Sequence, residues 1–217
     1  MPDRDPHRSA RPSSFLTGRT ADFDQHWSAS TPSFLTGRML IAMPGIEDPR
    51  FERAVLMVCA HDEQHAMGLA VNRPVEGLTV PGLLTRLGVK QAIELPDDFV
   101  LLGGPVQPER GFVLHTNDYV CEESSQDVGG GVALTATLQI LEAMASRNRR
   151  PRRSILTLGY AGWSAGQLES EIREGVWLTC DADESLLFSD DHEHKWSMAL
   201  AKMGASAEHL SAQTGRA

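Results

Sequence analysis

Two apolar runs, Arg53 to Ala60 and Ala66 to Asn72, flank the polar segment His61-Asp62-Glu63-Gln64-His65. Such runs, carrying β-branched residues and separated by a short polar stretch, read as an antiparallel hairpin. The early part of the chain is therefore hairpin-rich rather than βαβ in pattern. Phe99-Val100-Leu101-Leu102 before Gly103-Gly104-Pro105 is a further strand, Gly111 to His115 another, and Gly129-Gly130-Gly131 a loop. Ser154 to Leu158 reads as a buried strand that ends in Gly159-Tyr160-Ala161-Gly162-Trp163, and Val176 to Thr179 as one more.

Helical spacing is concentrated later. Leu83, Leu84 and Leu87 predict a helix over Pro81 to Leu87 that ends at Gly88, and Ile140, Leu141 and Met144 predict one from Thr137 to Arg147. Ser164 followed by Gln167 fits a capping box, Leu168 and Ile172 form the i,i+4 stripe behind it, and Gly175 stands where a C-terminal cap belongs. A last helix begins near Asp190, its acids suited to the positive end of the helix dipole. Trp196, Ala199, Leu200 and Met203 give it a packing face. Strands first and helices interleaved later indicate an α+β domain with a mixed sheet.

Residues 1–32 hold four prolines among Ser, Arg and Asp with no sustained period, and read as a mobile N-terminal tail. Within it Ser14-Phe15-Leu16-Thr17-Gly18-Arg19 recurs letter for letter as Ser33-Phe34-Leu35-Thr36-Gly37-Arg38. The repeat is too short for a solenoid. Only the second copy runs into a strand-like segment, Met39 to Met43, so that copy is expected in the fold and the first is read as a duplication relic.

The chain has 217 residues, enough to bury roughly 70% of the surface its unfolded form exposes. Its formal net charge of −9 repels polyanions and disfavours nonspecific DNA coating. The basic exception is Arg147, Arg149, Arg150, Arg152 and Arg153, five arginines around Pro151. Their guanidinium groups suit a phosphate or an acidic partner. No aromatic residues interleave with them, so a stacking platform for single-stranded nucleic acid is missing. Cys59, Cys121 and Cys180 form no C-x-x-C pair, which speaks against a disulfide framework or structural zinc. With no apolar leader in the first 30 residues and no run approaching ~20 apolar residues, the expected compartment is the cytoplasm, without a membrane span.

Several patterns invite a catalytic or metal reading. Gly162-Trp163-Ser164-Ala165-Gly166 is a literal G-x-S-x-G between a strand and a helix, the context of a nucleophile elbow, and Asp183 and His209 follow in a workable order. Against it, only 53 residues follow Ser164, and the serine is better employed as a helix cap, worth about 1 kcal/mol. His61 to His65 lacks the Glu directly after the first His that a zincin requires, and reads as a solvated turn. In Asp190-Asp191-His192-Glu193-His194 the two histidines would stand roughly 200° apart on a helix and could not share an ion. No metal is expected. No P-loop and no G-x-G-x-x-G after a strand occurs, so no nucleotide cofactor is expected either.

Three stretches together resemble the AlgH/YqgE family of bacterial proteins. They are Leu40-Ile41-Ala42-Met43-Pro44-Gly45 through Asp48-Pro49-Arg50-Phe51 to Met67-Gly68-Leu69-Ala70-Val71-Asn72-Arg73, then Gly103-Gly104-Pro105-Val106, then Gly159-Tyr160-Ala161-Gly162-Trp163 with Gly166-Gln167-Leu168-Glu169. The resemblance covers roughly residues 33–205 and leaves 206–217 as a C-terminal tail. It implies a single α+β domain with a mixed, partly barrel-like sheet flanked by helices, and it implies no known activity. The family's occasional label as a transcriptional regulator finds no DNA-reading element here, so direct DNA binding is disfavoured. Strand-end loops are where sites are usually built, which makes Asn72, Arg73, Gly103, Gly104, Tyr160 and Trp163 the candidate recognition surface. The reading is a non-catalytic binding or regulatory protein with an unspecified protein or small-molecule partner. A serine hydrolase at Ser164 is the rival, and nucleic-acid binding at Arg147 to Arg153 the third possibility.

Overall fold

The computed structural model describes residues 35–121 and 124–205. The tail 1–32 with the first repeat copy, Ser33 and Phe34 of the second, and the C-terminal tail 206–217 with His209 lie outside the described residues. The expected hairpin is present as β2 (Val55–His61) and β3 (His65–Ala70). Strand β1 (Arg38–Ala42) pairs antiparallel with β2 on one edge and with β10 (Trp177–Asp181) on the other. The second repeat copy supplies the entry to β1: Gly37 has φ 83°, donates to the Val58 carbonyl at 3.0 Å, and leaves no room for a side chain beside Val128 O at 2.7 Å.

The second half of the sheet holds β5 (Phe99–Leu102), β6 (Val106–Thr116), β7 (Ser125–Gly129) and β8 (Val132–Thr135), with β4 (Pro74–Thr79) paired to β5. The two halves are joined by β9 (Ser154–Ser164). Its later residues pair with β3, its earlier ones antiparallel with β6, and Thr157 and Leu158 parallel with β5. That parallel pair makes the sheet mixed. The order β10-β1-β2-β3-β9-β6-β8-β7 curls until the β7–β8 turn meets the far side, with Val128 against Gly37 and Gly130 near Ala182.

Both faces of the sheet are covered at β1, β2 and β3, which is why these strands are almost wholly buried. On β1, Met39 and Ile41 join the cluster inside the curl, where Phe112, Leu134, Leu187, Trp196 and Leu200 also pack. Leu40 and Ala42 face the other way, toward Leu56, Trp163, Leu168 and Trp177. A third cluster seats α1 (Val80–Arg86) and α2 (Leu138–Met144) on Val100, Val113 and Leu156. Helices α4 (Glu184–Leu187) and α5 (Lys195–Lys202) fill the concave interior, and α3 (Gln167–Arg173) covers the opposite face. The result is the expected α+β fold with a partly barrel-like sheet.

Three local expectations are corrected, and one short helix, α4, has no counterpart in the sequence pattern. The Gly159 to Trp163 stretch is not a turn after the strand; it continues β9 through Ser164. The last helix starts at Lys195 rather than Asp190, because Asp191 accepts from the His194 amide and closes a turn ahead of it. The short α4 has its own cap, Asp183, accepting from the Leu186 amide at 2.8 Å. His61 is not solvated: it is the last residue of β2, buried, with Nε2 3.0 Å from Glu169 on α3.

Candidate functional site

Asn72 follows β3 and bridges it to the start of β2. Its Oδ1 accepts from the Val55 amide and its Nδ2 donates to the Arg53 carbonyl, both at 2.9 Å. Arg53 has φ 52°, a left-handed conformation that costs roughly 1–2 kcal/mol for an L-residue, so the bridge holds a strained position in place. Arg73 donates from Nη2 to the Glu52 carbonyl at 2.5 Å, while its buried Nε has no partner among the described residues. Burial lowers the Arg73 pKa, and Glu52 and Asp48 act in the opposite direction.

Gly103 and Gly104 leave β5 across β9. Gly103 donates to the Leu158 carbonyl at 2.7 Å and accepts from the Ala70 amide at 2.8 Å, while Leu102 donates to the Arg73 carbonyl at 2.7 Å. A side chain on Gly103 would lie 2.3 Å from the Gly159 carbonyl oxygen, and one on Gly104 2.1 Å from the Tyr160 carbonyl carbon. These glycines are required by the crossing of two backbones. Gly103 is not an open amide for an anion, since its N–H is already given to Leu158.

Asn72, Arg73, Gly103, Gly104 and the Tyr160 backbone thus meet where the ends of β3 and β5 cross β9. The Tyr160 ring packs edge-on to Phe112 at 5.9 Å, on the inside of the curl. Trp163 points to the other face and does not join them. It is 6% exposed, packs edge-on to Trp177 at 6.2 Å, and donates to Glu171 Oε2 at 2.8 Å. Trp177 donates to the same oxygen at 2.7 Å, and Gln167 Nε2 to Oε1 at 2.8 Å. One carboxylate on α3 therefore holds both indoles.

Beside the crossing lies a cavity of about 130 Å³ bounded by Arg50, Phe51, Ala70, Arg73, Leu102, Gly104 and Pro105. Arg73 and Gly104 belong to the expected surface; the remaining lining residues escaped sequence reading. Phe51 and Arg50 form a 3-10 turn (Pro49–Phe51) capped by Asp48, whose carboxylate accepts from the Arg50 amide at 3.0 Å and from Nη2 at 2.6 Å.

The least expected group is Lys195, fully buried, which donates from Nζ to the carbonyls of Val71 (2.7 Å) and Leu187 (2.9 Å). It anchors the residue just before Asn72 and Arg73. Burial lowers its pKa from 10.5 to about 8, against the opposing pull of Asp190 and Asp191. Below pH 8 the ammonium is charged in both the folded and unfolded chain, and the burial penalty is fully in force. Between pH 8 and 10.5 the folded lysine gives up its proton first, so stability rises with pH, by about 3 kcal/mol across the window. Chemical denaturation of the wild type and Lys195→Met at several pH values isolates this, because other titrating groups cancel in the difference. The wild type should gain on the variant over that range; parallel curves would refute the assignment.

The AlgH-like family model matches residues 39–208, which spans the hairpin, the glycine crossing and α5. The chain belongs to the AlgH-like family. A UPF0301 protein of Caulobacter vibrioides is 67% identical over 180 residues, covering 83% of this chain and 92% of its own. One of Rhodopseudomonas palustris is 47% identical over 187 residues, covering 83% and 85%. The solution structure of the AlgH protein from Pseudomonas aeruginosa is similar at a TM-score of 0.66 and 39% identity, over 88% of this chain and all of that one. A crystal structure of a Corynebacterium diphtheriae protein shares the fold at a TM-score of 0.63 and 18% identity, over 81% and 90%.

In this AlgH-like chain Ser164 does not cap α3 as the sequence suggested. The N-cap is Gly166 at φ 71°, with open space around it, and Ser164 is the end of β9. Only half of the capping box forms: Gln167 Oε1 accepts from the Ser164 amide at 3.1 Å, and also from its hydroxyl at 3.1 Å. A nucleophile elbow is a strained turn; the only non-glycine residues at positive φ among those described are Arg53 and Gln107. His65 stands opposite Ser164 in the β3–β9 register. Asp183, the other proposed triad member, caps α4 and pairs with Lys202.

The arginine loop is partly committed. Arg147 donates to the Ala92 carbonyl at 2.9 Å, and Arg152 pairs with Glu184 at 2.7 Å. Arg149, Arg150 and Arg153 have exposed side chains. His194 is bound to Asp191 at 2.9 Å, and no group of three or more metal-capable side chains occurs among the described residues. No described helix is long and apolar enough to cross a membrane.

Proposed function

We propose that this AlgH-like chain is a non-catalytic, cytoplasmic binding protein whose recognition surface is the crossing of β3, β5 and β9, and that any effect on transcription runs through its ligand or a partner. The observation that carries this reading is the mainly apolar cavity beside that crossing, with Arg50 and Arg73 among its lining residues. Pockets with a few placed polar groups on a mainly apolar lining are the usual form of small-molecule sites. A hydrolase is the weaker reading, because the Ser164 hydroxyl donates to an amide oxygen, which is no general base. Arg149, Arg150 and Arg153 support a secondary contact with an acidic partner.

Native mass spectrometry of protein isolated from its own host tests the reading. The expected result is a retained small-molecule mass that disappears in Leu102→Trp, since Leu102 is 40% exposed at the cavity and an indole there fills the space without disturbing a buried position. A retained mass unaffected by Leu102→Trp would move the site elsewhere. Ester hydrolysis lost in Ser164→Ala would replace the binding reading with the hydrolase.

A further inference from the structure

We infer that the cavity beside the crossing takes a small uncharged apolar molecule, a single-ring arene or a compact branched hydrocarbon. This rests on the binding reading above and names the ligand class for that same surface. The polarity of the ligand follows from the surface of the cavity, which is almost wholly apolar. Two arginines are among the lining residues, but their polar groups are engaged elsewhere. Arg50 gives Nε and Nη2 to the Asp48 carboxylate at 3.0 and 2.6 Å. Arg73 gives Nη2 to the Glu52 carbonyl, and its Nε is buried. Backbone groups around the cavity are spent as well. The Leu102 amide donates to the Arg73 carbonyl, the Ala70 amide to the Gly103 carbonyl and the Phe51 amide to the Asp48 carbonyl. An ionised or hydrogen-bonding ligand would give up its water here and receive little in exchange. A hydrocarbon loses nothing of that kind and gains from the apolar area it removes from water.

The size of the ligand follows from the volume. About 130 Å³ is close to the roughly 150 Å³ of an apolar cavity that accepts benzene. A phenyl-sized body fills it; two fused rings or a long acyl chain do not fit. Water is a poor occupant, because an ordered water needs several polar partners that this surface does not offer.

The walls are set before any ligand arrives. The three amide bonds above fix the backbone at Phe51, Ala70 and Leu102, and the Phe51 ring packs edge-on to Trp177 at 5.7 Å. Gly104 lies against the backbone of Tyr160 and Ala161. A preformed site spends no binding energy on ordering its own loops, which is how so small a contact can hold a ligand.

The test titrates the full chain with toluene, benzyl alcohol, benzoate and naphthalene, read from the methyl NMR signals of the protein. Toluene should bind saturably, shift the methyl signals of Ala70 and Leu102, and bind at least tenfold more tightly than benzyl alcohol. Naphthalene should bind more weakly than toluene, and benzoate should give no saturable shift; these comparisons need no variant. Leu102→Trp should abolish the toluene shift at Ala70. Met198→Trp, which places an indole at another apolar position that is 40% exposed, should leave toluene affinity within twofold. Benzyl alcohol or benzoate binding as tightly as toluene, tighter binding of naphthalene, undiminished binding in Leu102→Trp, or equal loss in both Trp variants overturns the assignment. If no probe binds while host-isolated protein retains a mass that Leu102→Trp removes, the ligand class falls and the surface stands. If that mass is missing too, both fall.

Discussion

Gly104→Ala should cost about 4 kcal/mol, enough to leave much of the chain unfolded given the few kcal/mol that ordinarily separate the two states. The added methyl would stand 2.1 Å from the Tyr160 carbonyl carbon and 2.3 Å from the Ala161 nitrogen. Both are backbone atoms of β9, a strand held on both edges, so no side chain can turn aside to make room. Gly166→Ala is the matched control. Gly166 has φ 71° but nothing within 4 Å of the added atom, so it incurs only the left-handed penalty of roughly 1–2 kcal/mol. Urea denaturation of the two variants measures the contrast. Equal losses would mean that the crossing can open, and that its glycines are not fixed by contact.

Glu171→Ala should cost about 3 kcal/mol. It leaves the indole N–H groups of Trp163 and Trp177, 6% and 3% exposed, without an acceptor, and a bond to a charged acceptor is worth roughly 1.5–3 kcal/mol. Glu171→Gln keeps an oxygen at the end of the same chain and should lose about half as much. Tryptophan fluorescence during unfolding reports on both directly. A Gln variant as damaged as the Ala variant would show that the charge, and not the acceptor, holds the indoles. A harmless Ala variant would show that the rings are held by packing alone.

Strands and helices that follow a simple period were legible in the sequence. The β2–β3 hairpin, α1 with Gly88 behind it, and the strand running into the Gly103-Gly104 pair lie where apolar runs and helical spacing put them. Two expectations fail for different physical reasons. Gly159-Tyr160-Ala161-Gly162-Trp163 carries the glycines of a turn, yet Gly159 lies within β9, at φ 68° and with Gly104 O 2.4 Å from where its side chain would be. Close approach between distant segments demands the same residue as a bend, and the sequence alone does not distinguish them. Ser164 was assigned to the helix cap by a pattern of which the structure keeps only the Gln167 half.

Of the candidate surface, Arg73 and Gly104 line the cavity, whereas Asn72 and Trp163 are occupied in holding the fold. Lys195 does leave a trace in the sequence: it lies one residue before Trp196 and four before Ala199, on the buried stripe of α5. A charged residue on an apolar stripe is informative because burial of a lysine must be compensated. Its partners, the carbonyls of Val71 and Leu187, could not be read, since backbone acceptors have no signature in side-chain order. Phe51 and Leu102 were missed at the cavity for a similar reason, because the loop before β2 and the end of β5 meet only in three dimensions.

Strand β9 has a consequence for the order in which the molecule is made. It completes the hairpin side through β3 and the other side through β5 and β6, and it occupies residues 154–164 of 217. During synthesis everything that precedes it must wait on the ribosome with unpaired strand edges, among them β3, whose residues are almost wholly buried in the finished fold. Such edges recruit other chains when left open. A nascent chain stopped before Ser154 therefore leaves the outer edge of β3 without its partner, and the eleven residues of β9 that follow close it.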